Sequence, residues 1–205
     1  MLWPDFLVST SSYGRSWFDP PRDDERAVPG EFLVWGMRLF LVSLAVLFAA
    51  SLVAHFATKR DVHTALRPTA AILLATGVLI ISSATIHLAV AAARRGDRPS
   101  CRKALLVTLI LGTSFLLLQA ANWSDLLSRG VTAQDSLNAL SFYCLTLLHA
   151  LHVIGGVAGL AWVTYRSMRG AYTPANYLGV RACALYWHFL DVVWLVLFTA
   201  LFIVR

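Results

Sequence analysis

The chain has 205 residues, 58% of them hydrophobic and 14% charged, with a mean hydropathy of +0.67. That balance is too apolar for a water-soluble domain and places the chain in a membrane. The formal charge of +6, from 17 Lys and Arg against 11 Asp and Glu, then reads as basic loops on one side of a bilayer, and no nucleic-acid partner is expected.

Residues 1–31 are expected to form a cytoplasmic segment, because Pro4, Asp5, Asp19, Pro20 and Pro21 break the basic-then-apolar order of a cleavable signal. A hydrocarbon core about 30 Å thick needs roughly 20 helical residues. Five stretches of the remaining 32–205 meet that need, which gives an all-α, polytopic bundle of five transmembrane helices. The first span is expected at 32–58, with Arg38 just inside its start and able to snorkel toward the headgroups. The second, at 68–93, opens on Pro68 and closes on Arg94, Arg95 and Gly96. The third runs over 104–127, the fourth over 136–165 and the fifth over 180–204, interrupted by Asp191. His55 and His63, at the far end of span one, are expected to be solvated. Cys101, Cys144 and Cys183 lack C-x-x-C spacing, so they read as packing residues and neither a disulfide framework nor a zinc site is indicated.

Lys and Arg are retained on the cytoplasmic side, and their distribution is lopsided. Arg15, Arg22 and Arg26, the five basic residues from Arg94 to Lys103, and Arg166, Arg169 and Arg181 fall on one face. Lys59, Arg60, Arg67, Arg129 and Arg205 fall on the other. The expected orientation is N-terminus cytoplasmic and C-terminus periplasmic.

Within the spans, Asp191 demands an explanation, since an ionised carboxylate at a helix centre costs roughly 2.5 to 3.5 kcal/mol on insertion scales. His188 lies three residues before it, on the same helical face. His149 and His152 of span four are also three apart and level with Asp191 if the last two helices are antiparallel neighbours. A polar seam of His149, His152, His188 and Asp191 is therefore expected, with Asp191 hydrogen bonded to a histidine of span four. Three chemistries fit such a seam: structural bonding between helices, a haem b held by two histidines among His87, His149, His152 and His188, and a proton path. The H-E-x-x-H metalloprotease pattern is absent. Gly155-x-x-x-Gly159 has the small-residue spacing of close helix contact, and Gln119 and Asn122 of span three are expected to bond across an interface. Trp3, Trp17, Trp35, Trp123 and Trp162, near run ends, fit aromatic belts.

The string Tyr186-Trp187-His188-Phe189-x-Asp191-Val192-Val193-Trp194-x-x-x-Phe198 resembles the last-helix signature of subunit III of the haem–copper oxidases. The resemblance extends through His149-x-x-His152-Val153-x-x-Gly156, Gly112-x-x-Phe115-x-x-x-Gln119, Ser82-Ser83 with His87, and Gly36-Met37-x-Leu39-Phe40-Leu41, covering roughly residues 32–204. It implies the short, five-helix bacterial form of this subunit, in the plasma membrane, with no haem, copper or catalytic residue of its own. It further implies partnership with the catalytic subunit I and with subunit II, bound phospholipid, and support of proton uptake by the partner. Haem and copper are expected in that partner. Related sequences accompany nitric oxide reductases, which stand as an alternative partner, and a bis-histidine membrane cytochrome is the rival outside the family. The chain departs from the family at Leu44 and Asn122, where acidic residues are common, and at Arg38, where an aromatic is usual and a lipid phosphate contact is expected.

Overall fold

Backbone N–H and C=O groups find no partner in hydrocarbon, so a chain crossing it must close its hydrogen bonds within each segment. A computed structural model, describing residues 30–58, 70–130, 132, 134 and 137–203, shows this solution. Five helices are long and apolar enough to cross a membrane: α1 (Gly30–Thr58), α2 (Ala70–Arg95), α3 (Arg98–Ser128), α4 (Leu137–Met168) and α5 (Leu178–Phe198). A π-helical turn, Thr199–Ile203, continues α5 and sets Phe202 edge-on to Phe142 of α4. Residues 1–29, His63 and the end of the last span at 204 lie outside the described residues.

The helix ends differ from the apolar runs where charge stays helical at the membrane edge. α3 begins at Arg98, before the expected 104, because Asp97 accepts a bond from Ser100 N at 3.1 Å and a proline occupies the first turn. Those bonds to Ser100 lower the Asp97 carboxyl pKa from its ordinary value. The cap therefore contributes fully at neutral pH and fades as the pH falls through that lowered value. α4 likewise runs past Tyr165 to Met168.

α2 and α3 are joined by Gly96 and Asp97 alone. Gly96 adopts φ 78°, the left-handed region that glycine enters freely, and Asp97 N returns to Ala92 O at 3.0 Å. These two helices share the longest interface of the bundle. α4 packs on α3, and α5 packs on α4, α2 and α1. One apolar cluster gathers Ile86 and Ala89 of α2, Leu105 of α3, Leu160 of α4 and Val180 and Trp187 of α5. A second centres on Phe115, Val153, Leu190 and Trp194. α1 is attached more thinly, chiefly through Phe48 against Leu145, Val193 and Leu197. Large apolar residues such as Leu73, Leu117, Leu151 and Val46 point outward, as suits a surface bathed in lipid.

Two glycines make this packing possible, and they are not the expected pair. A Cβ on Gly112 would stand 2.5 Å from the Trp187 ring, and one on Gly156 would stand 2.9 Å from Leu190 Cδ1. Gly159 faces open space and Gly155 meets only Tyr186 Oη at 3.9 Å. The Gly155/Gly159 spacing thus corresponds to no close helix contact, since a helical face is set by which neighbour it meets and not by spacing alone. Gly112→Ala is expected to lower stability by about 1–3 kcal/mol through overpacking, whereas Gly155→Ala stays near wild type; thermal unfolding of both variants in detergent checks this.

Candidate functional site

Successive residues on a helix point about 100° apart, so the run Tyr186-Trp187-His188 reaches several neighbours at once. Tyr186 Oη donates to His152 O of α4 at 3.1 Å. Trp187 Nε1 donates to Ser82 Oγ of α2 at 3.0 Å, while its ring covers Gly112 of α3 and lies beside Gly156 of α4. His188 Nδ1 is hydrogen bonded to Ser83 Oγ of α2 at 2.8 Å. Two turns further on, Trp194 Nε1 donates to Thr76 Oγ1 of α2 at 3.1 Å. An adjacent pair on α2, Ser82 and Ser83, thus meets an adjacent pair on α5, Trp187 and His188.

The expected seam divides into two sites. Trp187, Asp191 and Trp194 occupy one stripe of α5, and that stripe faces α2, whereas Tyr186 and Leu190 face α4. Asp191 consequently lies with His188, Ser83 and His87 in an α2/α5 groove, and the expected hydrogen bond to a span-four histidine is not formed. Asp191 Oδ2 is 3.8 Å from His188 Nδ1, beyond hydrogen-bond length, and the His87 and His188 rings are 6.5 Å apart. On the other side, His149 is fully buried, stacked on Trp194 at 5.5 Å and edge-on to Phe115 and Phe48, with neither ring nitrogen hydrogen bonded. His152 bonds the Leu148 carbonyl of its own helix at 2.7 Å and packs on Phe48.

Chemically, the α2/α5 group is not a nucleophile triad. Ser83 and Asp191 both approach Nδ1 of His188, whereas a relay needs serine and carboxylate on opposite ring nitrogens. No group of three or more His, Cys, Asp or Glu among the described residues is arranged to hold a metal ion. His149, closed in by rings, presents neither nitrogen to an open cavity of porphyrin size.

Other polar links join the helices. His55, expected to be solvated, is buried and its Nδ1 lies 2.7 Å from Ser141 Oγ of α4, tying α1 to the bundle. Thr85 of α2 and Thr108 of α3 share a bond of 2.8 Å. Arg102 Nε donates to Ser167 O at 3.0 Å and joins the start of α3 to the end of α4. Gln119 and Asn122 are buried. Hydroxyls commonly bond their own helix backbone, so only the indole donors opposite Ser82 and Thr76 would have singled these two out.

The sequence pattern of the family described as "Cytochrome c oxidase subunit III" matches residues 25–204. The chain belongs to the cytochrome c oxidase subunit III family. It is similar to the "Probable cytochrome c oxidase subunit 3" of Mycobacterium tuberculosis, 37% identical over 130 residues, 63% of this chain and 64% of that protein. The "Cytochrome c oxidase subunit 3" of Corynebacterium diphtheriae is 37% identical over 133 residues, 65% of each chain. That of Pelomedusa subrufa is 33% identical over 188 residues, 83% of this chain and 69% of that protein. The matched region thus spans just under two thirds of the length of the actinobacterial relatives. The family resemblance carried by Tyr186 to Phe198 coincides with a segment that bonds α5 to α2 and α4.

Those bonds give a measurable expectation. A double-mutant cycle of Trp187→Phe with Ser82→Ala should return a coupling of about 0.6 kcal/mol, and at most about 1.7, the range for hydrogen bonds inside membrane proteins. Reversible unfolding in mixed micelles provides the measurement, and zero coupling would remove this bond from the account of the fold.

Proposed function

We propose that the chain is a non-catalytic, accessory subunit III of a bacterial haem–copper terminal oxidase, lying beside subunits I and II in the plasma membrane. Its N-terminus is cytoplasmic and its C-terminus periplasmic, as the distribution of Lys and Arg favours. Its work is to pack against the catalytic subunit and sustain proton uptake there, while haem and copper reside in the partner. The observation that carries this reading is the match of residues 25–204 to the subunit III family, together with a last helix whose Tyr186, Trp187 and Trp194 are engaged in packing. A nucleophile, metal cage or haem slot is not needed for such work.

Leu44 and Asn122, both buried, stand where acidic residues are common in the family. Leu44 cannot hold a proton, so support of proton uptake runs through other groups, and the polar group around Asp191 is the candidate within the bundle. Phospholipid is a proposed ligand. Arg38 is exposed on α1 with its guanidinium 5.0 Å from the Trp35 ring centre, a cation–aromatic pair suited to the headgroup level. An anionic phosphate there would take the fork of guanidinium donors.

Affinity purification of the tagged chain from native membranes should retrieve the oxidase subunits with their haem and copper, while the isolated chain shows no Soret absorption. Retrieval of nitric oxide reductase subunits would reassign the partner. Stoichiometric haem in the isolated chain, lost on changing His149 or His152, would replace the reading by a b-type cytochrome. Arg38→Ala should reduce the anionic phospholipid that co-purifies, measured by mass spectrometry of the extracted lipid, with assembly unchanged.

A further inference from the structure

The α2/α5 groove encloses about 420 Å³ and is lined by Leu79, Ile80, Ser83, His87, His188 and Asp191, with Val192 and Leu195 on its rim. Three features separate it from an ordinary lipid-facing furrow. A carboxylate lies just beneath its largely apolar lining: the Asp191 side chain is only 9% exposed, yet neither carboxylate oxygen is hydrogen bonded. It is open: the His188 side chain is 39% exposed, with Nδ1 taken by Ser83 and its Nε2 edge unengaged among the described residues. It is deep in the bilayer: Asp191 lies near the middle of Leu178–Phe202 and Ser83 near the middle of Ala70–Arg95, about 17 to 20 Å of helix from either end.

Depth and charge select the occupant. Hydrocarbon tails offer nothing to a carboxylate or an imidazole, and headgroups stay at the edge of a core about 30 Å thick. Unpartnered polar groups at that depth are costly. A second copy of this chain docked face to face would bring one Asp191 toward another, which low dielectric penalises. A transmembrane helix carrying a hydrogen-bond donor meets both demands, filling the furrow between Ile80 and Val192 and giving the imidazole and carboxylate a partner.

We propose that this groove is the docking site for a transmembrane helix of a partner subunit, which inserts a hydrogen-bond-donating side chain against His188 and Asp191. This rests on the subunit III reading above and adds to it the face and the chemistry of the contact. Ile80 and Val192, at 56% and 58% exposure, form the apolar lips on which that helix lies.

A photoreactive benzoyl-phenylalanine at Ile80 or at Val192, introduced in the full chain and irradiated in native membranes, tests the site. The expected product is an adduct with one oxidase subunit, mapped by peptide mass spectrometry to a membrane-spanning segment that bears a donor side chain within a turn of the adduct. Val192→Trp, which fills the groove from an outward position, and the isosteric Asp191→Asn should each lower the co-purified partner about tenfold, equivalent to roughly 1.4 kcal/mol. Leu117→Trp, on the outer face of α3, should leave the yield unchanged. Adducts with lipid alone or with a second copy of this chain overturn the docking. Unchanged yields for both groove variants overturn it too, while the subunit reading survives as long as the unaltered chain still retrieves oxidase subunits. Failure of the unaltered chain to retrieve them ends the subunit reading and the docking together.

Discussion

Trp187 is the side chain on which the bundle turns. Lipid tails are as apolar as leucine, so burial of hydrocarbon does not hold membrane helices together, and close fit and polar bonds must do it. Trp187 supplies both from one position. Its N–H reaches a hydroxyl of α2, and its ring lies in the space left by missing side chains on α3 and α4. One residue of α5 thereby fixes three neighbours, and Trp194 repeats the logic two turns away, between Thr76, Phe115 and His149.

Anchoring α5 in this way determines where its charge goes. Asp191 falls four residues after one tryptophan and three before the other, so whichever helix receives the indole N–H groups faces the carboxylate as well. That helix is α2. The histidines of α4 are left beside aromatic rings, and the residues of the expected seam are divided between a closed pocket around His149 and an open groove around His188. The closed half belongs to the fold of the bundle. The open half has the character of a surface completed by another molecule.

The division also marks how far the sequence could be read. Long uncharged runs bounded by arginine and proline define five helices, because the length of a spanning helix is dictated by the solvent it crosses. The aromatic-rich stretch from Tyr186 to Phe198 identifies the family and coincides with the main packing helix. Pairings between helices were less legible. The i, i+3 spacing sets His188 beside Asp191, and His149 and His152 a turn apart, but it carries no information on which neighbour either face meets. The same limit explains Gly155 and Gly159, whose spacing suggested contact although Gly112 and Gly156 make it. His55, near a run end, has the sequence position of a solvated residue, whereas it is buried with its Nδ1 2.7 Å from Ser141 Oγ of α4. Such outcomes depend on the rotation of each helix about its own axis, which only the assembled bundle fixes.

The two-residue link between α2 and α3 has a consequence for biogenesis. With Gly96 and Asp97 as the whole connection, and with Pro174 of the α4–α5 loop lying 2.9 Å from where a Cβ on Gly96 would stand, neither helix can choose its direction across the bilayer alone. They must enter as a hairpin. The basic cluster at their shared tip then acts as one address label for both, and the second loop, arriving later in synthesis, closes over a corner already in place.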